Sequence, residues 1–161
     1  MQQIKTAMNI QLREVDIDNF DEVINLPLLP HQENYLASNA YSLAQSKYDI
    51  YYRPRAIYVD EQLSGFLMYK TMDDEHRPRE YAIHRFMIDH RQQGHGIGRQ
   101  ALQLAIEEIR QDLQAERITI CYHPENPVAK DFYASFGFVE TGVDEEGEMN
   151  AEIVLNSAQK K

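Results

Sequence analysis

Arg91-Gln-Gln-Gly94-His-Gly96-Ile-Gly98 runs directly into Arg99-Gln-Ala-Leu-Gln-Leu-Ala-Ile-Glu-Glu-Ile-Arg110, and the reading of this stretch decides the architecture. Leu102, Ala105, Ile106, Ile109 and Leu113 recur at three- and four-residue intervals, which predicts an amphipathic helix with one buried stripe. Arg99, Gln103, Glu107 and Arg110 fall on its wet side. Ahead of the glycines, Tyr81 to Asp89 reads as a strand, and Arg117 to Tyr122 reads as the next strand after the helix. Strand, glycine turn, helix and strand together make a β-α-β unit.

Outward from this unit, Asn126-Pro127 opens a helix with a capping side chain and a first-turn proline; it runs to Phe136 and stops at Gly137. Phe138 to Thr141 and Glu148 to Leu155, separated by the acidic Asp144 to Gly147, close the chain as a hairpin. Toward the N-terminus, Asn9 to Arg13 alternates as a first strand. A helix follows from about Asp18 to Asn25, capped by Asp16 or Asp18, with Phe20, Val23 and Ile24 on its apolar side. Pro27 and Pro30 break it before a second helix, roughly Glu33 to Ser46. Ala56 to Val59 and Phe66 to Tyr69 flank a hairpin connection, Asp60 to Gly65, and the polar run Thr71 to Glu80 reads as a loop.

At 161 residues the chain suits one domain. We divide it into a flexible extension over residues 1–7, a domain over 8–156 and a polar tail over 157–161. No stretch approaches the roughly 20 apolar residues of a membrane span, and no secretion signal stands at the start, so the expectation is a cytoplasmic protein without a membrane partner. A single cysteine, Cys121, leaves no intramolecular disulfide and no cysteine-based zinc site; it reads as a strand core residue. The formal charge of −10, without a basic patch, argues against a nucleic-acid partner and leaves solubility or a cationic partner as its meaning. The histidines form no His-Glu-x-x-His pair and there is no Gly-x-Ser-x-Gly elbow, so neither metal hydrolysis nor serine acyl transfer is supported and no metal is expected.

Gly94, Gly96 and Gly98 sit where amides point outward with no Cβ to block a ligand. The first amides of the following helix lack internal partners, and its dipole adds about half a positive charge there, so the turn suits a pyrophosphate. The nucleotide-triphosphate loop needs Gly-Lys followed by Ser or Thr, which the chain lacks. Gly96-Ile-Gly98-Arg-Gln-Ala101 fits the dinucleotide spacing, but the acid that fold wants at the end of the next strand is missing: Glu116 precedes that strand.

Gln93-Gly-His-Gly96-Ile-Gly98 matches the acetyl-CoA motif of the GNAT superfamily of N-acetyltransferases: Gln or Arg, two residues, Gly, one residue, Gly or Ala. Arg91-Gln-Gln-Gly94-His-Gly96 matches too; the first register places its last glycine at the helix start, as the family does, and is preferred. Asn126-Pro-Val-Ala129 with Tyr133-Ala-Ser-Phe-Gly137-Phe138 resembles the family's Asn-x-x-Ala and Tyr-x-x-x-Gly-Phe segment. More narrowly, Leu36-Ala-Ser-Asn39, Ser42-Leu-Ala44, Arg85-Phe-Met-Ile-Asp89, Pro124-Glu-Asn126 and Gly147-Glu148 resemble bacterial spermine/spermidine acetyltransferases. The resemblance implies an α/β (α+β) fold: one GNAT-like domain with a mixed, mostly antiparallel sheet of about six to seven strands and about four helices. It also implies acetyl-CoA as cosubstrate, a small cationic amine as partner, and a homodimer as an assembly the family often uses.

In that reading Phe86, Met87 and Ile88 lend a strand edge to the pantetheine arm. Gln93, Gly94, His95, Gly96, Ile97, Gly98 and Arg99 hold the pyrophosphate, largely through their amides, and Asn126 contacts the cofactor or simply caps its helix. Tyr133, at the cofactor and rotated about 100° from a Val128, Phe132 and Phe136 stripe, is the group to give or share a proton with the leaving thiolate. His84 is the candidate base and a substrate contact, with Glu33 through water as its rival. Among the acids that would hold a polyamine's unreacting amines, Glu33 and Glu148 are preferred over Glu145 and Glu146; Tyr35, Tyr41 and Tyr48 stay unassigned.

The leading function is therefore acetyl transfer to a primary amine of a polyamine by direct attack in a ternary complex. Alternatives are the same chemistry on an aminoglycoside, an amino-acid derivative or a protein N-terminus, or a CoA-binding module without catalysis.

Overall fold

The computed structural model describes residues 8–28 and 37–155. The 1–7 extension, Glu33 and Tyr35 with the start of the expected second helix, and residues 156–161 lie outside the described residues.

Among the described residues seven strands form one sheet: β1 (Ile10–Glu14), β2 (Tyr52–Val59), β3 (Gln62–Met72), β4 (Arg77–Ile88), β5 (Arg117–Tyr122), β6 (Val139–Val143) and β7 (Met149–Val154), in the spatial order β1-β2-β3-β4-β5-β7-β6. Every neighbouring pair is antiparallel except β4 and β5, which are parallel because a helix crosses between them. Four α-helices of the described residues accompany the sheet: α1 (Phe20–Ile24), α2 (Asn39–Tyr48), α3 (Ile97–Arg110) and α4 (Ala129–Ala134). The mixed, mostly antiparallel α/β expectation holds.

Alternation along the strands divides the core between the two faces of the sheet. Leu67, Tyr69, Ile83 and Ile88 join Ile97, Leu102, Ile106 and Ile109 of α3 in one cluster, while Tyr52, Ala56, Phe66, Met68 and Met87 pack with Val23 of α1 in the other. The α3 stripe is buried as its spacing predicts, each Leu or Ile contributing about 1.5–3 kcal/mol. Leu113 is a correction: α3 ends at Arg110, and Leu113 lies beyond it, 65% exposed.

Other boundaries shift for identifiable reasons. The β2–β3 connection is only Asp60-Glu61, both with positive φ (47° and 73°), the primed two-residue geometry that follows strand twist. Gly65 is not in that turn; it lies within β3, where an added Cβ would stand 2.6 Å from the Met87 carbonyl oxygen. The run from Thr71 to Glu80 is not a loop but the far end of the β3–β4 hairpin. Its polar residues are held by ion pairs of Arg77 with Glu75 and Glu80, and Pro78 falls where the ladder is interrupted. Of α1's expected apolar side, Val23 is buried while Ile24 is exposed, and Asn19 rather than an aspartate occupies the N-cap position.

Candidate active site

The β4–β5 ladder runs from Glu80 opposite Arg117 to Ile83 opposite Ile120, and there it ends. On its other side β4 stays paired with β3 as far as Ile88, opposite Gly65. Where β5 departs, β4 carries one extra residue: Tyr69 pairs with Ile83 and Met68 with Arg85, leaving His84 opposite no residue. A bulge of this kind bends its strand and re-aims its side chains. The β5-facing edge of β4 from His84 to Ile88, which includes Phe86, Met87 and Ile88, therefore has no strand partner among the described residues. Main-chain groups along such an edge are ready to pair with an extended ligand.

The glycine turn closes one end of this opening. Asp89, 1% exposed, fixes the entry by accepting from the Arg91 amide at 2.9 Å and from the Arg91 guanidinium at 2.7 Å, while its own amide donates to the Ser64 carbonyl. Gln93 Nε2 donates to the Ile88 carbonyl at 2.9 Å, tying the turn back to β4. Gly94 (φ 85°) and Gly96 (φ 79°) adopt the left-handed region; a Cβ on either would meet nothing within 4 Å, so handedness rather than crowding requires glycine. Gly96 is the N-cap of α3, with Ile97 buried behind it and His95 exposed. Gln100 N donates to the Gly96 carbonyl, so the amides of Ile97, Gly98 and Arg99 precede the first intrahelical donor and are free to face an anion. A Cβ added to Gly98 would stand 3.6 Å from Ile88 and 3.7 Å from Phe86, in ordinary van der Waals contact.

The Arg99 side chain reaches α4, donating to Ser135 Oγ at 2.8 Å and lying over the Phe136 ring at 4.9 Å. α4 is shorter than expected. Asn126 Oδ1 accepts from the amides of Val128 and Ala129 at 3.2 and 3.3 Å, so its capping role is met before the helix proper begins. Val128, expected in the buried stripe, is 71% exposed; Ala129 is the buried residue of this turn, with Phe132 and Phe136 half-buried. Tyr133 stacks on Tyr122 of β5, centroids 5.6 Å apart, and meets Phe132 and Phe138 edge-on. Burial pushes the Tyr133 phenol up to about 12, so it stays protonated at neutral pH, and its hydroxyl makes no hydrogen bond among the described residues. A protonated donor without a protein acceptor suits a partner brought by a ligand.

The bulge places His84 on the opposite face, where Tyr52 of β2 meets it: Tyr52 Oη and His84 Nε2 are 3.2 Å apart and the rings are edge-on at 5.1 Å. Beneath Tyr52 lies Lys70 of β3, 6% exposed, its Nζ 4.9 Å from the ring centroid, 2.9 Å from Asp74 and 3.6 Å from Asp49. Burial first, then the Arg85 and Lys70 charges, push the His84 imidazole down to about 4, so it is neutral at pH 7. Tyr52, Lys70 and Asp49 were not anticipated from the sequence; they are drawn together by strand register, which leaves no local motif.

Glu148, half-buried just before β7, lies near enough to Cys121 of the neighbouring β5 for its charge to be felt there. Cys121 is a further correction: Ile118, Ile120 and Tyr122 take the buried positions of β5, and Cys121 lies exposed on the other face, its Sγ 3.2 Å from Asn150 Oδ1. Although the residue is exposed, atoms packed around its sulfur, then the Glu148, Asp144 and Glu146 carboxylates, push the thiol up to about 11, so it stays protonated at neutral pH. Glu145 and Glu146 are exposed at the hairpin tip. Arg85 stands between the two groups, its charge felt by both His84 and Cys121.

The structure thus joins the open β4 edge, the glycine turn and Tyr133 on one side of the sheet, and His84 and Glu148 on separate elements of the other. The profile of the Acetyltransferase (GNAT) family matches residues 20–138. The chain belongs to the GNAT acetyltransferase family. This acetyltransferase is 30% identical over 151 residues to the spermine/spermidine N(1)-acetyltransferase of Bacillus subtilis strain 168, covering 92% of the chain and 97% of that relative. Its fold is similar to that of a spermidine N-acetyltransferase from Vibrio cholerae crystallised with CoA and spermine (TM-score 0.74, 20% identity, 94% and 97% of the two chains). An aminoglycoside acetyltransferase crystallised with coenzyme A and kanamycin is equally similar in fold (TM-score 0.75, 16% identity, 91% and 95% of the two chains). Among the described residues of the acetyltransferase, no helix is long and apolar enough to cross a membrane, and no cluster of histidine, cysteine and carboxylate side chains could hold a metal ion.

Proposed function

We propose that this acetyltransferase moves the acetyl group of acetyl-CoA onto a primary amine of a polyamine by direct attack. The observation that carries the proposal is the opening between β4 and β5 beyond Ile83 and Ile120, floored by the glycine turn and bordered by Tyr133. An unpaired strand edge beside outward amides fits a chain of amide groups ending in phosphates, which is the shape of coenzyme A. Bound acetyl-CoA supplies the acetyl group as a thioester. Phe86, Met87 and Ile88 would hold the arm by main chain; the amides from Gly94 to Arg99 would hold the diphosphate; Tyr133 would donate to the departing sulfur.

The acceptor side follows from charge. A free alkylamine near pKa 10 is neutral in only about one molecule in a thousand at pH 7. Lys70 and Arg85 beside His84 repel the ammonium form and favour the neutral nitrogen that can attack. His84, itself neutral, then takes the proton once the nitrogen begins to bond to carbon and turns acidic. Charges elsewhere on a polyamine suit the carboxylates of Asp144, Glu146 and Glu148 around the last hairpin, in keeping with the chain's net charge of −10. The spermine/spermidine substrate of the B. subtilis relative supports the same acceptor class.

Thiol release measured over spermidine, spermine, putrescine, kanamycin and a free N-terminal peptide tests the reading. The expected result is the largest kcat/KM on spermidine or spermine. Turnover confined to the aminoglycoside or peptide would overturn the polyamine assignment, and absence of calorimetric heat with CoA and acetyl-CoA would overturn the enzyme's use of that cosubstrate.

A further inference from the structure

We infer that Tyr52 is a positioning residue that holds His84 through Nε2, so that Nδ1 is the nitrogen left to take the proton of the attacking amine. This rests on the reading of His84 as proton acceptor. The geometry is a short stack of three layers on adjacent strands. Lys70 of β3 is pinned by Asp49 and Asp74; its Nζ lies over the Tyr52 ring of β2; and the Tyr52 hydroxyl meets Nε2 of His84, which the β4 bulge has turned toward it.

Each layer restricts the next. A lysine 6% exposed between two carboxylates has almost no freedom, so the tyrosine ring above it has a fixed seat. The edge-on contact of the two rings and the 3.2 Å separation of Oη and Nε2 then define the imidazole plane. For Nδ1 to accept, the neutral ring must carry its hydrogen on Nε2, donated to the phenol oxygen. In the step itself the amine N–H bond breaks as an Nδ1–H bond forms; Nε2 keeps its hydrogen, and the imidazolium later returns one proton to water. The charged and titratable groups facing His84 are Tyr52 from β2, Lys70 from β3, Arg85 from β4 and Asp49 from the segment before β2. Burial, then Arg85 and the carboxylate-paired Lys70, disfavour the imidazolium more than Asp49 supports it, which favours release of that proton.

The test is nitrogen-15 NMR of the full wild-type chain at pH 7.5, with the His84 ring signals assigned by through-bond correlation to their own backbone, together with steady-state kinetics of Tyr52→Phe and Lys70→Met. The wild-type protein is expected to show the Nε2–H tautomer. Tyr52→Phe is expected to mix the tautomers and lower kcat about tenfold or more, with both KM values changed less than about twofold. Lys70→Met removes one facing cation and is expected to move the acid limb of the kcat/KM profile to higher pH. An Nδ1–H tautomer in the wild type, which needs no variant to fold, would overturn the proposal. So would a Tyr52→Phe protein with unchanged tautomer and kcat. If no amine is acetylated while wild-type His84 shows the Nε2–H form, the Tyr52–His84 arrangement is upheld and the acetyl-transfer reading is what falls.

Discussion

The Tyr133 ring lies nearly parallel to that of Tyr122, with 20° between their planes and 5.6 Å between centroids, and Tyr122 in turn donates to Glu140 at 2.5 Å. The stack orients Tyr133 by its ring and leaves its hydroxyl uncommitted. Tyr133→Phe keeps every ring contact and forfeits no hydrogen bond among the described residues. We predict a melting temperature essentially unchanged, CoA affinity unchanged, and kcat lower by about 100-fold. An undiminished kcat would remove Tyr133 from the chemistry.

Gly65→Ala places a methyl group 2.6 Å from the Met87 carbonyl oxygen, where backbone must move. We predict a loss of about 1–3 kcal/mol, read as a fall in melting temperature of roughly 2–4 °C per kcal/mol, accompanied by weaker CoA binding because the displaced strand is the one expected to carry the arm. A stable variant with wild-type CoA affinity would show that β3 and β4 tolerate separation there.

Gly96→Ala and Gly147→Ala each force alanine into the left-handed region, at φ 79° and 84°, with open space around the new methyl group. Both are predicted to lose about 1–2 kcal/mol of stability. Only Gly96→Ala, at the start of α3, is predicted to weaken CoA binding as well, by about tenfold, in titration calorimetry. Equal CoA affinities in the pair would deny the glycine turn its anion-binding role.

The imidazole of His84 binds its proton less readily in the folded chain than in the unfolded one, about 4 against 6.5. Between those two values the unfolded state holds more protons, so acidification favours unfolding. His84 therefore contributes stability that is fully present above pH 6.5 and is lost as pH falls toward 4. Denaturant midpoints measured across this window are predicted to fall with pH, and less steeply in His84→Gln. Parallel slopes would place the titrating group elsewhere.

Glu148→Gln is predicted to raise the KM for spermidine about three- to tenfold while leaving that for acetyl-CoA unchanged, the modest size reflecting a half-exposed carboxylate. An unaltered spermidine KM would leave Glu148 a solvated hairpin charge.

What the sequence discloses and what it conceals separate along physical lines. The α3 stripe and the outward amides of Gly94 to Gly98 follow from period and from glycine's missing Cβ, both local properties. Asp60-Glu61 escaped because a primed turn is ordinarily built from Asn or Gly, and Thr71 to Glu80 escaped because a hairpin held by surface ion pairs has no apolar alternation to betray it. Val128 and Cys121 were misplaced because a short helix and a two-faced strand each allow one rotation or flip that residue type cannot decide. Tyr52 and Lys70 are remote in sequence from His84, and only the register of β2, β3 and the bulged β4 brings them to it.

Lys70 carries the same functional group that this catalyst would acylate, lodged beside the histidine assigned to receive the proton. Burial alone would weaken its hold on a proton, but Asp74, Tyr52 and Asp49 together outweigh it and raise that affinity, and an ammonium has no lone pair with which to attack. The carboxylate clamp that seats the aromatic stack thus also keeps this one amine from competing with the acceptor.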